Sequence, residues 1–182
     1  MRAFIGLGGN VGDTRAAFAS AVSGMRGIGH LVHASSLYAS APRDRVGQPE
    51  FTNAAVELQT DTDAATLLVT LKRLELALGR DPQGTRFGPR TIDLDILSLD
   101  GRCVEDAELP LIIPHPRLHE RRFALEPLAE LDPGLTPWRG CADVRRDVTV
   151  ADLLATVADQ EVRRIGGPEW ADQGPWSAHG LI

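Results

Sequence analysis

From Arg86 to Leu97 the chain reads Arg-Phe-Gly-Pro-Arg-Thr-Ile-Asp-Leu-Asp-Ile-Leu, and this stretch restricts what the chain can fold into. A Gly/Pro loop with two arginines runs into a strand with an acid at every second position. Side chains alternate across a strand, so Ile92, Leu94 and Ile96 share one face while Asp93 and Asp95 share the other. The two acids are then about 6.6 Å apart along the strand. At that distance they repel by about 2.5 kcal/mol at an effective dielectric of 20. A strand buried on its apolar face tolerates this if its other face is wet or a cation sits between the acids. For an isolated acid pair the wet face is the better reading. The neighbouring residues shift the balance.

The helix after Asp61-Thr62-Asp63 carries its apolar stripe at Leu67, Leu68, Leu71, Leu74 and Leu78, and Gly79 ends it. Lys72, Arg73, Arg80, Arg86 and Arg90 therefore gather near two strand carboxylates. The chain has a net charge of −6, so nucleic acid is excluded as a general partner and an anionic ligand must be caught by a local cluster of arginines. Acids that hold Mg²⁺ beside cations that neutralise phosphate are the parts of a metal–polyphosphate site. A 43% hydrophobic, 24% charged chain of 182 residues is long enough for one domain with a real core. No apolar run approaches a membrane span, and the N-terminal residues read as a strand, not a signal peptide. Cys103 and Cys141 have no metal-ligand spacing and are expected as free thiols in a reducing compartment.

The rest of the chain reads as a mixture of strands and helices. Ala3–Gly8 reads as a buried strand. Its glycines have the wrong spacing for dinucleotide binding. A helix follows, capped at Asp13 or Thr14, with Phe18, Ala21, Val22, Met25 and Ile28 on one face. One strand is expected over residues 30–40, then a long polar loop, then a strand from Phe51 to Leu58 with Phe51 and Asn53 on the same face. Asp100-Gly101 marks a tight turn. A short helix is expected to start near Glu126, a second is capped by Thr149 with Asp152, and Val162–Ile165 returns as an edge strand. Strands and helices do not alternate strictly, which predicts an α+β fold.

The motifs are similar, in order over roughly residues 3 to 130, to those of the 6-hydroxymethyl-7,8-dihydropterin pyrophosphokinases of folate synthesis. They are Ile5-Gly6-Leu7-Gly8-Gly9-Asn10, Ser35-Ser36-Leu37-Tyr38, Gln48-Pro49 with Phe51 and Asn53, Glu75 with Gly79-Arg80, Gly88 to Asp95, and Pro114-His115-Pro116 with Arg121 and Phe123. The string from Gly88 to Asp95 is the specific one. The resemblance implies a single-domain ferredoxin-like α/β sandwich with a mainly antiparallel sheet, over residues 1–165, with a Gly/Pro/Trp tail at 166–182. It implies pyrophosphoryl transfer from ATP to the pterin hydroxymethyl group, with release of AMP. Asp93 and Asp95 would hold two Mg²⁺ ions, and Arg80 and Arg90 would clamp phosphate. Ala41, Pro42, Arg43, Phe51, Asn53 and Phe123 would form the pterin pocket. Lys72, Glu75, Arg86, Ile96, His115 and Arg121 would stand on the ATP side. A cytoplasmic monomer that binds small molecules, and neither nucleic acid nor membrane, completes the expectation. The chain departs from the family pattern at Ala41, Lys72, Pro82 and Phe87. Two other classes also fit the acids: a silent pterin- or nucleotide-binding module, and another Mg²⁺-dependent phosphotransfer or nuclease domain.

Overall fold

The computed structural model describes residues 1–42, 47–84, 88–106 and 108–172. Its centre is a six-stranded sheet, antiparallel at every pairing. The strands are β1 (Arg2–Gly9), β2 (His30–Ala34), β3 (Leu37–Ser40), β4 (Phe51–Gln59), β5 (Asp93–Leu99) and, near the C-terminus, β8 (Val162–Gly166). Their order is β5-β1-β4-β3-β8, with β2 also paired to β4. A separate ribbon joins β6 (Val104–Asp106) to β7 (Leu111–Ile113). The single strand expected over residues 30–40 is two strands. Both pair with β4, and Ser35-Ser36 lies between them. The break is held in place: Ser35 Oγ accepts the Ala55 N–H, and Glu130 accepts the Ser36 N–H and hydroxyl at 2.8 Å each.

Helices α1 (Thr14–Met25) and α2 (Ala64–Ala77) pack on one face of the sheet, α3 (Arg122–Leu131) and α4 (Val150–Thr156) on the other. Alternation along each strand divides the core accordingly. Ala3, Ile5 and Leu7 of β1 meet Val56, Leu58, Leu94, Phe18, Val22, Leu67 and Leu71. Phe4, Ala55 and Leu97 meet Leu125, Leu128, Val150 and Leu153. Asp13 and Asp63 cap α1 and α2 by accepting the N–H groups of Ala16 and Thr66. Thr149 and Asp152 form the expected capping box.

Three expectations need correction. Helix α3 starts a turn earlier than Glu126 and takes Pro127 into its interior. Burial of Leu125 and Leu128, with an Arg122–Glu126 ion pair at 2.9 Å, outweighs the hydrogen bond that proline cannot donate. Residues 166–172 belong to the packed body and not to a separate tail. The indole of Trp170 is fully buried, edge-on to Phe18 at 5.8 Å between centroids, and donates to the Ser35 carbonyl at 2.8 Å. Trp176 lies outside the described residues. Cys103 and Cys141 are joined in a disulfide, with Cα atoms 5.4 Å apart. Their pairing follows from a turn that brings Gly140 N–H onto the Gly101 carbonyl at 2.8 Å.

Candidate active site

The sheet face that carries Phe4 and Ala55 is only partly covered at its other end, where the first turn of α3 forms a wall and not a lid. Two rows of paired residues cross it there. One row is Tyr38, Asn53, Gly8 and Asp93; the other is Ala55, Gly6 and Asp95. Between Asn53 and Asp93 stands a residue without a side chain, so about 9–10 Å of sheet, two strand spacings, is open as a floor. A cavity of about 230 Å³ lies on it. Its walls include Ser40, Ala41, Gln48, Phe51, Asn53, Arg90, Asp93, Asp95, His115, Arg121 and Phe123.

One end of the cavity is aromatic and amide-bearing. Asn53 is 4% exposed, and its amide nitrogen donates to Ser40 Oγ at 2.9 Å. Its orientation is thereby set by β3. Phe51 and Phe123 flank this end, each with a guanidinium 5.6 Å from its ring centroid: Arg90 for Phe51, Arg121 for Phe123.

The other end is ionic, and Glu75 organises it. A helical Lys-Glu pair three residues apart ordinarily marks a solvated face. Here the Glu75 residue is 2% exposed. It accepts the Leu94 N–H at 2.6 Å and the Lys72 ammonium at 2.7 Å, and it pairs with Arg80. Lys72 also donates to the Leu94 carbonyl at 2.9 Å. β5 is an edge strand, so these two side chains satisfy its outward backbone groups and bind α2 to the acid-bearing strand. Arg80 is delivered by the end of α2. Gly79 has a φ of +87°, the Gly79 N–H reaches the Leu76 carbonyl at 3.1 Å, and the Arg80 N–H reaches the Glu75 carbonyl at 3.0 Å. This is a Schellman motif. From it Arg80 bonds Asp93 Oδ1 at 2.5 Å, while Arg90 bonds Asp93 Oδ2 at 2.7 Å. Asp95 has Lys72 at 3.8 Å.

Burial pushes the Asp93 carboxyl up, but Arg80, Lys72 and Arg90 outweigh it and hold the group below the usual range. Burial lowers His115, Asp95 opposes that, and Arg121 and Arg117 add to it, so the ring is neutral at pH 7. Its Nδ1 accepts the Arg117 N–H at 3.2 Å, which leaves the proton on Nε2.

Of the residues singled out in the sequence, the structure brings Ala41, Phe51, Asn53, Arg90, Asp93, Asp95, His115, Arg121 and Phe123 to one cavity. Arg80, Glu75 and Lys72 stand behind its acids. Pro42, the next residue after Ala41, is not among the residues that line the cavity. Ile96 does not join them: its side chain is 4% exposed in the core on the opposite face. Arg43, Arg86 and Phe87 lie outside the described residues.

Asn10, noted in the sequence only as part of a motif, is a junction. Its Oδ1 accepts the Arg90 N–H at 2.9 Å, and its amide donates to Gln48 Oε1 at 3.1 Å and the Pro49 carbonyl at 3.2 Å. A side chain with both donor and acceptor at a strand end, beside glycines, was the available signal. Gly9 makes the junction possible, because a Cβ there would lie 2.5 Å from the Thr91 carbonyl oxygen.

The fold is thus an antiparallel α+β sandwich whose cavity sets an aromatic-amide end beside a cluster of acids and arginines. The chain belongs to the 7,8-dihydro-6-hydroxymethylpterin-pyrophosphokinase (HPPK) family, whose pattern matches residues 4–133. It is 36% identical over 165 residues to the 2-amino-4-hydroxy-6-hydroxymethyldihydropteridine pyrophosphokinase of Bacillus subtilis, covering 90% of this chain and 89% of that one. Against the enzyme of the same name from Methylorubrum extorquens it is 41% identical over 167 residues, covering 90% and 98%. Among solved structures it resembles the HPPK-DHPS protein of Plasmodium falciparum, with a TM-score of 0.69 and 14% identity over 87% of this chain. The matched region is 44% of that longer chain, and the likeness is one of fold. The protein is thus a pyrophosphokinase of folate biosynthesis.

Proposed function

We propose that the protein transfers pyrophosphate from ATP to the hydroxymethyl group of 6-hydroxymethyl-7,8-dihydropterin, with two Mg²⁺ ions, and releases AMP. In this reaction the hydroxyl oxygen bonds to the β-phosphorus as the bridge to the α-phosphorus breaks. The observation that carries the reading is the junction of two chemistries in one cavity: Asn53 with Phe51 and Phe123 at one end, Asp93 and Asp95 among cations at the other.

Asn53, held by Ser40, presents an amide edge to the pterin. Phe51 and Phe123 stack on the ring, and Ala41 lines the pocket beside it; Pro42 and Arg43 are assigned to the pterin by the family resemblance alone. Arg80 and Arg90 have a carboxylate partner in Asp93 and can exchange it for phosphate oxygens as the nucleotide enters. Arg86 adds to this clamp. His115 donates from Nε2 to the triphosphate without carrying charge itself, and Arg121 supplies charge beside it.

The donor set suits magnesium. Among the described residues no three His, Cys, Asp or Glu side chains gather to hold a metal by themselves. A hard cation held by one or two carboxylates and completed by phosphate needs no more than Asp93 and Asp95. The ions would supply charge neutralisation of the triphosphate and of the developing leaving group.

No helix among the described residues is long and apolar enough to cross a membrane. We assign the activity to a cytoplasmic monomer acting on small molecules. Purified protein given MgATP and the hydroxymethyl-dihydropterin should form AMP and the pterin diphosphate; no AMP would end this reading. Asp95→Ala should cut turnover by more than about 100-fold, the loss that even an outer partner of a metal ligand can cause. The fold should be retained, because the Asp95 side chain is 38% exposed. Unchanged turnover would remove Asp95 from the metal role.

A further inference from the structure

We propose that Lys72 makes metal loading depend on nucleotide: its ammonium serves as the resident counter-charge of Asp95 and keeps a divalent cation off that carboxylate until the triphosphate arrives. This rests on the assignment of Asp93 and Asp95 as metal ligands. The ammonium is anchored on two sides, by Glu75 Oε1 at 2.7 Å and by the Leu94 carbonyl at 2.9 Å, and lies 3.8 Å from Asp95 Oδ1. It is therefore a fixed charge and not a waving surface lysine. The anchors come from two different elements, α2 and β5, so the charge cannot leave without unfastening the edge strand. In the ionic end of the cavity, three carboxylates (Glu75, Asp93, Asp95) face three cations (Lys72, Arg80, Arg90), and every carboxylate already has a cation within 4 Å.

A dication bound at Asp95 would stand about 6 Å from the ammonium. Two charges and one at that distance in water repel enough to weaken binding about tenfold. The sign reverses when the metal enters as its triphosphate complex, because that complex is a net anion and the ammonium attracts it. Lys72 is thus a positioning residue whose effect on metal affinity changes direction with nucleotide. A purely structural role has no such signature.

The test is a Mn²⁺ titration read by electron paramagnetic resonance, with and without α,β-methylene-ATP, which cannot be cleaved at the reacting bridge. Lys72→Gln keeps a donor for the Leu94 carbonyl but removes the charge; Lys72→Met is the second variant, and Lys72→Arg keeps the charge. Without nucleotide, both neutral variants should bind Mn²⁺ about tenfold more tightly than the parent. With the metal supplied as the complex of the analogue, at analogue concentrations below saturation, they should take up less Mn²⁺ than the parent, and Lys72→Arg should follow the parent in both states. Circular dichroism identifies the variants that are folded. A folded neutral variant with unchanged or weaker Mn²⁺ binding in the absence of nucleotide overturns the role of Lys72. A parent protein that binds no Mn²⁺ even with the analogue overturns the metal assignment itself.

Discussion

Asp93 is the residue at which stability and function compete. Both of its oxygens are taken by guanidiniums, so the folded protein favours its ionised form. A carboxyl whose folded pKa is depressed contributes stability above its unfolded value of 3.8 and loses it as pH falls through the folded one. Asp93→Asn should therefore flatten the acid limb of the stability curve: the parent loses stability below about pH 4, and the variant loses less. Urea denaturation at pH 3 and pH 6 measures this, and equal losses in the two proteins would contradict it. Asn10 makes a second residue-scale case. Asn10→Ala leaves the Arg90 N–H without its acceptor in a partly buried place, at a cost of about 1–3 kcal/mol. It also releases Gln48 and Pro49, on the pterin side of the cavity. We expect the KM for pterin to rise more than the KM for ATP, measured by steady-state kinetics. The alternation of Asp93 and Asp95 against Ile92, Leu94 and Ile96 was legible because it needs only the two-residue period of a strand. The burial of Glu75 was not, since a helix surface becomes an interior only when another element covers it.

At the level of elements, the site depends on how strands and helices end. β5 carries the acids, but its register breaks opposite Phe4 and Ile5, where Leu97 is the extra residue between the pairings of Ile96 and Ser98. Leu97 stays on the face of Asp95, where alternation puts it, and packs beneath Gly6, whose missing Cβ leaves the room: a Cβ there would lie 3.1 Å from the leucine side chain. Past the extra residue the faces swap, so Leu99 joins Leu94 and Ile96 in the core on the other side. No sequence pattern marks such a bulge. The Gly79 stop after α2 was legible, for a glycine after a leucine stripe is a strong end signal. Its consequence, the delivery of Arg80 to Asp93, came from the fold. Gly79 has open space around its missing Cβ, so a substitution there is opposed by backbone conformation alone. Gly79→Ala should cost about 1–2 kcal/mol, the penalty of a left-handed L-residue. Gly79→Asn should cost less, because asparagine tolerates that region. Turnover should fall with Gly79→Ala through displacement of Arg80. Chemical denaturation together with kcat measures both effects, and equal stability of the two variants would refute the strain argument.

Across the whole molecule, the C-terminal half closes the fold around the site, and this was the part least legible in the sequence. Trp170 fills the core from a Gly/Pro-rich segment, where composition suggests a tail; one buried indole with a hydrogen-bonded nitrogen outweighs that composition. The disulfide was equally hidden, because two cysteines 38 residues apart meet only when the turn after β5 reaches the loop that carries Trp138. That loop leads back to the cavity. Arg145 stacks on Trp138 at 4.5 Å from the ring centroid and contacts His119 Nδ1 at 2.7 Å, on the 3₁₀ turn (Leu118–Glu120) between His115 and Arg121. Cys103 is exposed, so a reductant can reach the bond. In the chain-entropy account, closing a loop of 38 residues restricts the unfolded chain by about 4 kcal/mol. For a protein of this size, that corresponds to a Tm about 10 °C lower in dithiothreitol. Cys103→Ser should show the lower Tm without reductant and no further change with it. In a reducing cytoplasm the bond would open, and the site-bearing sheet, which the disulfide does not cross, should keep its acids in place. Reduced protein should therefore retain turnover at 25 °C and lose it at a lower temperature than oxidised protein. A Tm that does not respond to dithiothreitol would mean that Cys103 and Cys141 are not bonded in solution.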